Sequence, residues 1–289
     1  MYAISGITGK VGGSLARTLL AEGQAVRAIV RDQRKGKLWS ALGCEVAIAQ
    51  MEDLEALTTA FTATQAAFIL PPSDFDPLPG YPEARKIIDA VVAALLAAKP
   101  DKVLCLSTIG ADAAPDNLLS QRTLMEEALS RLPMPVTFLR PGWFLENAAL
   151  DVASARETGV IHSLLMPLDK AFPMVATKDV GRVAARLIQE TWRGKRVVEL
   201  EGPRRVSPND LAAAFARMLG KPVRAEIVPH ETWESLFRSQ GMKHPHPRMR
   251  MLDGFNEGWI DFQNEGANSI KGCVGTEEVI ASLVRDESV

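Results

Sequence analysis

The residues Ser5-Gly6-Ile7-Thr8-Gly9-Lys10-Val11-Gly12 have the composition and spacing of a phosphate-binding turn. They stand between an apolar run, Tyr2-Ala3-Ile4, and a stretch in which Val11, Leu15 and Leu19 recur at helical spacing. In that setting Gly6 makes the tight turn, Gly9 lets the backbone approach a pyrophosphate, and Gly12 lets the helix pack closely on the strand. The start of the helix then offers free N–H groups and a partial positive charge to an anion. Gly6, Thr8, Gly9, Lys10, Val11 and Gly12 are therefore candidate ligand-binding residues, and a dinucleotide is the expected ligand. The competing reading is a turn that serves structure alone.

A second group of residues bears on which dinucleotide. An NAD site usually places Asp or Glu about 20 residues further on, against the ribose hydroxyls. Here that place holds Arg31, followed by Arg34, Lys35 and Lys37. A guanidinium suits a 2′-phosphate, which a carboxylate would repel. NADP(H) is the expected cofactor and NAD(H) the second choice. Asp32 lies adjacent, and a solvated basic turn is the alternative.

Several chemistries lack their residues. The chain has two tyrosines, and the residues four positions on are Gly6 after Tyr2 and Arg85 after Tyr81. No Tyr-x-x-x-Lys pair is present to move a proton at neutral pH. Cys44, Cys105 and Cys273 are far apart and form no C-x-x-C, so they read as buried hydrophobes in a reducing cytoplasm. His244-x-His246 is interrupted by prolines, and no metal site is expected. No G-x-S-x-G supports a Ser-His hydrolase. Glu126 and Glu127 read as solvated helix positions with no chemistry. Trp233, Phe237 and Met242 read equally well as walls of an apolar pocket or as core.

The elements that must position these residues alternate. Strands are predicted at 2–4, 26–30, 45–48, 66–70, 103–107, 136–139 and 196–200. Helices are predicted from Val11, over 38–42, from Leu54 to Phe61, and over 82–98, 118–132 and 179–189. Ser207 and Pro208 open one more helix. Such alternation predicts an α/β fold, a doubly wound parallel sheet of order 3-2-1-4-5-6 plus an edge strand, six or seven strands in all. Residues 1–150, with 174–200, form the dinucleotide-binding part. Residues 151–289 are mainly a smaller C-terminal lobe that closes over the strand ends, and its last third reads as loop-rich.

Composition sets the outer bounds. The chain has 289 residues, 47% hydrophobic and 24% charged, with net charge −2. This is a globular balance without the positive field that nucleic acid would need. The Ala90–Ala98 run is too short to cross a membrane. Its apolar face could meet a partner instead of the sheet, leaving an oligomer open. No secretory leader is evident at Met1, and the expected location is cytoplasmic.

Longer motifs narrow the reading. Leu104-Cys105-Leu106-Ser107-Thr108-Ile109-Gly110-Ala111 resembles the strand-SxxGA element of the NmrA-like, atypical branch of short-chain dehydrogenases/reductases. Val136-Thr137-Phe138-Leu139-Arg140-Pro141-Gly142-Trp143-Phe144-Leu145-Glu146-Asn147 resembles that branch's TxLRPGxFxEN segment. Asp179-Val180-Gly181 and the Glu201-Gly202-Pro203 … Asp210-Leu211-Ala212 run are also similar.

The resemblance implies that Gln50 and Met51 flank the adenine, although the family more often has Asp at the first of these. It implies that Leu70 and Pro71 line the groove, that Ser107 and Thr108 lie beneath the nicotinamide ribose, and that Pro141 and Gly142 face the ring. Ile109, Gly110, Trp143, Phe144 and Asn147 become candidate substrate-pocket residues. The family's catalytic Tyr and Lys positions fall near Leu118 and Arg122. Leucine transfers no proton, and arginine stays charged. Two functions fit: an NADPH-dependent reductase of a small conjugated, quinone-like acceptor with Arg122 as a fixed charge, or a non-catalytic NADP(H) sensor acting on a regulatory protein partner.

Overall fold

Residues 1–263 and 269–286 are described by a computed structural model. Strand β1 (Tyr2–Ile4) enters the glycine turn, which opens into helix α1 (Lys10–Ala21) with Val11, Leu15 and Leu19 buried. Next come β2 (Val26–Val30), α2 (Gln33–Ala41), β3 (Glu45–Ile48), α3 (Leu54–Phe61) and β4 (Ala66–Ile69). Helix α2 begins well before the expected Leu38 because Asp32 caps it, accepting from the Lys35 N–H at 3.0 Å. Its polar first turn carries no apolar period that would announce a helix. Helix α4 (Pro82–Ala98), β5 (Lys102–Leu106), α5 (Ser120–Leu129) and β6 (Val136–Pro141) complete the alternating half. Ile88, Val91, Ala94 and Leu95 of α4 pack in one core with Ala67, Ile69 and Val103 of the sheet. The apolar face of α4 is thus used inside the molecule and is not free for a partner.

The second half is less regular. It holds β7 (Trp143–Phe144), α6 (Val152–Thr158), β8 (Val160–Ser163), β9 (Met174–Val175), α7 (Thr177–Gln189), β10 (Lys195–Glu201), α8 (Pro208–Leu219) and β11 (Arg224–Ile227). Ser207 and Asp210 cap α8 reciprocally, as a capping box does. The last third is not loop-rich: it folds into α9 (Trp233–Ser239), α10 (His246–Glu257), β12 (Ser269–Lys271) and α11 (Thr276–Asp286). Pro245, Pro247, Gly254 and Gly258 within and around α10 read as loop residues in the sequence. Pro245 and Pro247 sit where a helix start tolerates them.

The main sheet has the order β12-β10-β6-β5-β4-β1-β2-β3, with every pairing parallel. The expected 3-2-1-4-5-6 order is present, but two strands extend it where one was expected, giving eight. The register of β10 on β6 runs from Lys195↔Val136 to Leu200↔Pro141. The added β12 has three residues, too few to show a period.

Each face of the sheet has its own core. Helices α1 and α7 bury Leu15, Leu19, Val180, Ala184 and Ile188 on one face. They touch so closely that a Cβ on Gly181 would lie 2.3 Å from the Ser14 Cβ. Helices α3, α4 and α5 cover the other face. A further core holds Phe172, Phe215, Trp233, Phe237, Leu252 and Phe255, beside the parallel β8–β11 pair. Trp233 and Phe237 are fully buried there, so they are packing residues and not pocket walls.

Candidate functional site

At the carboxyl end of β1 the backbone builds the site. Gly6 has φ +64°, and a Cβ there would strike the Leu70 side chain at 2.8 Å. A Cβ on Gly12 would lie 2.4 Å from the Gly6 carbonyl oxygen, which fixes how near α1 lies to the turn. Gly9 differs: its nearest neighbour in the Cβ direction is the Gly6 oxygen at 3.4 Å. It is the N-cap of α1, with no side-chain capping bond and no acidic residue in the first turn. The first N–H groups of α1 therefore keep their hydrogen-bonding capacity and the positive end of the helix dipole. Ser5 fixes this turn to β4, donating to the Phe68 carbonyl at 2.9 Å and accepting from the Leu70 N–H at 2.8 Å.

A cleft of about 250 Å³ opens in front of that helix end. It is lined by Gly9, Lys10 and Val11 of the turn and α1, by Leu70 and Leu106 after β4 and in β5, and by Phe144, Glu146, Asn147 and Thr177. Thr8 is exposed beside it.

At the end of β2 the charges divide their roles. Asp32 is engaged in capping α2, and the Lys35 N–H holds its carboxyl below the usual carboxylate range. Arg34 approaches it only to 3.9 Å. Arg31 and Lys35 are exposed, and Arg31 has no ion pair or side-chain hydrogen bond among the described residues. Gln50 is exposed in the turn after β3, where its carbonyl accepts from the Asp53 N–H at 3.1 Å. Met51 is half-buried against the core beneath α3 and α4.

The ends of β5 and β6 carry a buried network instead. Arg140 donates through Nε and Nη2 to both oxygens of Glu126, at 2.9 and 2.7 Å, and through Nη1 to Asp112 at 2.7 Å. Ser107 Oγ donates to the same Glu126 carboxylate. Burial alone would lower the Arg140 pKa, but the bonds and charges of Glu126 and Asp112 outweigh it and hold it above the ordinary arginine value. Glu126 is thus not a solvated helix position. Its i+1 neighbour Glu127 is exposed as expected. One signal in the sequence could have revealed this: the predicted strand 136–139 runs directly into Arg140, and a charge that continues a buried strand needs a counter-charge.

Other candidates separate into two groups. Phe144 and Asn147 reach the cleft with the glycine turn. Ile109 belongs to the core that holds Trp233, and Gly110, with φ +74°, abuts Ile260. Trp143 stands edge-on to Phe255 at 5.3 Å. Gly142 leaves no open room, because the Pro173 carbonyl oxygen lies 2.4 Å from where its Cβ would be. Pro71 and Pro141 are buried and Thr108 half-buried. Leu118 is buried, and its N–H donates to the Pro247 carbonyl at 2.9 Å. Arg122 donates to the Pro71 carbonyl at 3.1 Å and to Ser73 Oγ at 2.8 Å. Glu146 went unread in the sequence. Its carboxylate caps α7, accepting from the Thr177 N–H at 2.9 and 3.0 Å and from Thr177 Oγ1 at 2.6 Å.

A doubly wound parallel sheet with an uncapped glycine turn at its first strand defines a Rossmann-type protein. The chain belongs to the NmrA-like family, whose model matches residues 2–256. It is 28% identical over 244 residues to quinone oxidoreductase 2 of Escherichia coli (strain K12), covering 84% of this chain and 82% of that one. It is 25% identical over 261 residues to an NAD(P)H azoreductase of Xenophilus azovorans, covering 89% and 85%. Among solved structures, the Citrobacter sp. triphenylmethane reductase complexed with NADP(H) superposes with a TM-score of 0.77 over 98% of this chain and 99% of that one. At 19% identity that last likeness is one of fold.

Proposed function

We propose that the protein is an NADPH-dependent oxidoreductase that reduces a small conjugated acceptor of quinone type without a Tyr-x-x-x-Lys pair. The observation that carries this reading is the division of charge after β2. The nearby carboxylate of Asp32 caps α2, while Arg31 is exposed and has no ion pair among the described residues. A 2′-phosphate there meets three cations, Arg31, Arg34 and Lys35, against the one carboxylate of Asp32, which is turned to the α2 backbone. The names of the relatives, a quinone oxidoreductase and an azoreductase, agree with two-electron reduction of conjugated acceptors.

In this reading the residues of the glycine turn, Gly6, Thr8, Gly9, Lys10, Val11 and Gly12, receive the pyrophosphate. Arg31, Arg34 and Lys35 hold the 2′-phosphate, and Gln50 and Met51 border the adenine. Leu70, Pro71, Ser107 and Thr108 border the nicotinamide ribose, and Pro141 and Gly142 the ring. The bound cofactor supplies a hydride, so that quinone, NADPH and one proton give hydroquinone and NADP⁺. Ser107 gives its only O–H proton to Glu126, so it presents lone pairs to a ligand and accepts from ribose or amide donors. Phe144 and Asn147 orient the acceptor by excluding water from one side of the cleft. The proton that completes the hydroquinone comes from water, because the product monoanion is stable enough to wait for it.

NADPH oxidation followed against a panel of quinones and enones, with calorimetric titration of NADPH and NADH, tests the reading. Turnover of a neutral quinone and tighter NADPH binding are expected. NADPH binding without turnover of any acceptor would overturn it and leave the sensor role.

A further inference from the structure

Helix α5 carries Arg122 and Glu126 one turn apart, the spacing at which opposite charges on a helix pair. They do not pair. Glu126 is taken by Arg140 and Ser107, and Asp112 completes the partners of Arg140. Arg122 makes no ion pair among the described residues. Its bonds go through Nη2 to two neutral acceptors, the Pro71 carbonyl and Ser73 Oγ. Burial holds the guanidinium below the ordinary arginine value, with the Cys105 thiol opposing that shift. Burial in turn pushes that thiol up to about 12, so it is a neutral group at neutral pH and balances nothing.

The guanidinium thus lies against the segment that follows β4, behind the cleft and not in its lining, as a positive charge with no ion-pair partner among the described residues. Pro71 follows Leu70, and Leu106 follows Cys105. Leu70 and Leu106 line the cleft, together with Lys10 and with Glu146, whose carboxylate is engaged by Thr177. In a sheet of this type, ligands bind at the carboxyl ends of the strands. A desolvated cation there attracts an acceptor that carries negative charge, or acquires it on reduction, and repels one that carries positive charge.

We infer that Arg122 determines substrate specificity at this site, selecting anionic and neutral electron-poor acceptors, such as sulfonated quinones, against cationic dyes. The inference rests on the reductase reading and names the substrate class within it.

The test uses three probes: a neutral naphthoquinone, its sulfonate, and a cationic triarylmethane dye. Their kcat/KM values are measured with the parent protein, Arg122→Gln and Arg122→Lys, at low and high salt. The parent is expected to favour the sulfonate over the neutral quinone by about tenfold and to disfavour the dye. The preference should shrink to about unity in Arg122→Gln, survive in Arg122→Lys, and weaken with salt. Equilibrium binding of the sulfonate and of the neutral quinone to the NADP⁺-saturated protein gives the same comparison without turnover. Should Arg122→Gln fail to fold, the Lys variant and the parent's salt dependence decide.

Equal kcat/KM for sulfonate and neutral quinone in the parent, or a preference unchanged in Arg122→Gln, overturns the inference while turnover of the neutral quinone upholds the reductase reading. Absence of turnover with all three overturns the reductase reading, and the binding comparison then decides the charge preference alone.

Discussion

The carboxyl edge of the sheet contains two sites built by different means. Beyond β1 and β2, positions are set by backbone: Gly6 turns, Gly12 admits a neighbouring carbonyl, and Gly9 caps a helix without obstructing its end. Beyond β5 and β6, positions are set by side chains from separate elements, with Arg140 of β6 holding Glu126 of α5 and Asp112 of the preceding loop. A backbone site tolerates no added atoms where chain meets chain, and a side-chain network tolerates no missing charge.

Substituting the glycines breaks this contrast most sharply. Gly12→Val drives a side chain into the Gly6 carbonyl and is expected to cost at least ~3 kcal/mol, read as a lowered Tm. At Gly9 a Cβ meets only the Gly6 carbonyl oxygen, at 3.4 Å, so the Tm of Gly9→Val should stay near that of the parent. The same variant should lose both cofactors by at least about tenfold in a calorimetric titration, because its side chain stands before the helix end. A Gly9 variant that binds NADPH normally would remove the pyrophosphate from this turn.

At the other site, Arg140→Ala leaves Glu126 buried without its cation and should cost about 3 kcal/mol in denaturant unfolding. Glu127→Ala, one residue from Glu126 but exposed, should stay within about 0.5 kcal/mol of the parent. Equal effects from the two would mean that the network contributes nothing.

Arg31→Ala sharpens the comparison from the solvent side. Loss of one charge-assisted contact should weaken NADPH by about tenfold and leave NADH unchanged. An unchanged ratio of the two affinities would move the 2′-phosphate elsewhere.

An effect of similar size, read across pH, is expected at Asp151. Burial pushes its carboxyl up to about 6, with His162 pulling the other way. The folded state therefore holds a proton there that the unfolded chain, with a carboxyl near 4, has released. This contribution to stability is present at low pH, is lost as pH rises from about 4 to 6, and leaves a constant cost above that. Asp151→Asn should gain on the order of 1–2 kcal/mol at pH 7.5 and flatten that slope, as followed by unfolding across pH.

The same contrast explains what could be read beforehand. The glycine turn, the strand order from β3 to β6 and the Ser207 cap depend on neighbours within a few residues, and local spacing carries them. Glu126, Arg140 and Asp112 meet across 14 and 28 positions of chain, and nothing local to Glu126 marks it as different from Glu127. Trp233 and Phe237 have the residue types of a pocket wall, and only the three-dimensional core assigns them to packing. The three-residue β12 and seven-residue α9 are too short to establish a period, while Pro245, Pro247 and Gly254 make the α10 region read as loop.

Helix α7 joins segments that the chain separates widely. Gly181 rests on Ser14 of α1, Glu146 caps its first turn, and Asp179 accepts from the Cys273 and Val274 N–H groups at 2.8 Å. During synthesis, α1 is made early, yet the helix that covers its glycine face emerges only after residue 176. Until then Leu15, Leu19 and the nucleotide turn have no lid on their side of the sheet. A fragment ending near residue 150 would contain the whole phosphate-binding motif and still lack the wall that holds it in place. The cofactor half is thus completed by its own successor: the chain must pass through the lobe before its oldest strand–turn–helix unit is enclosed.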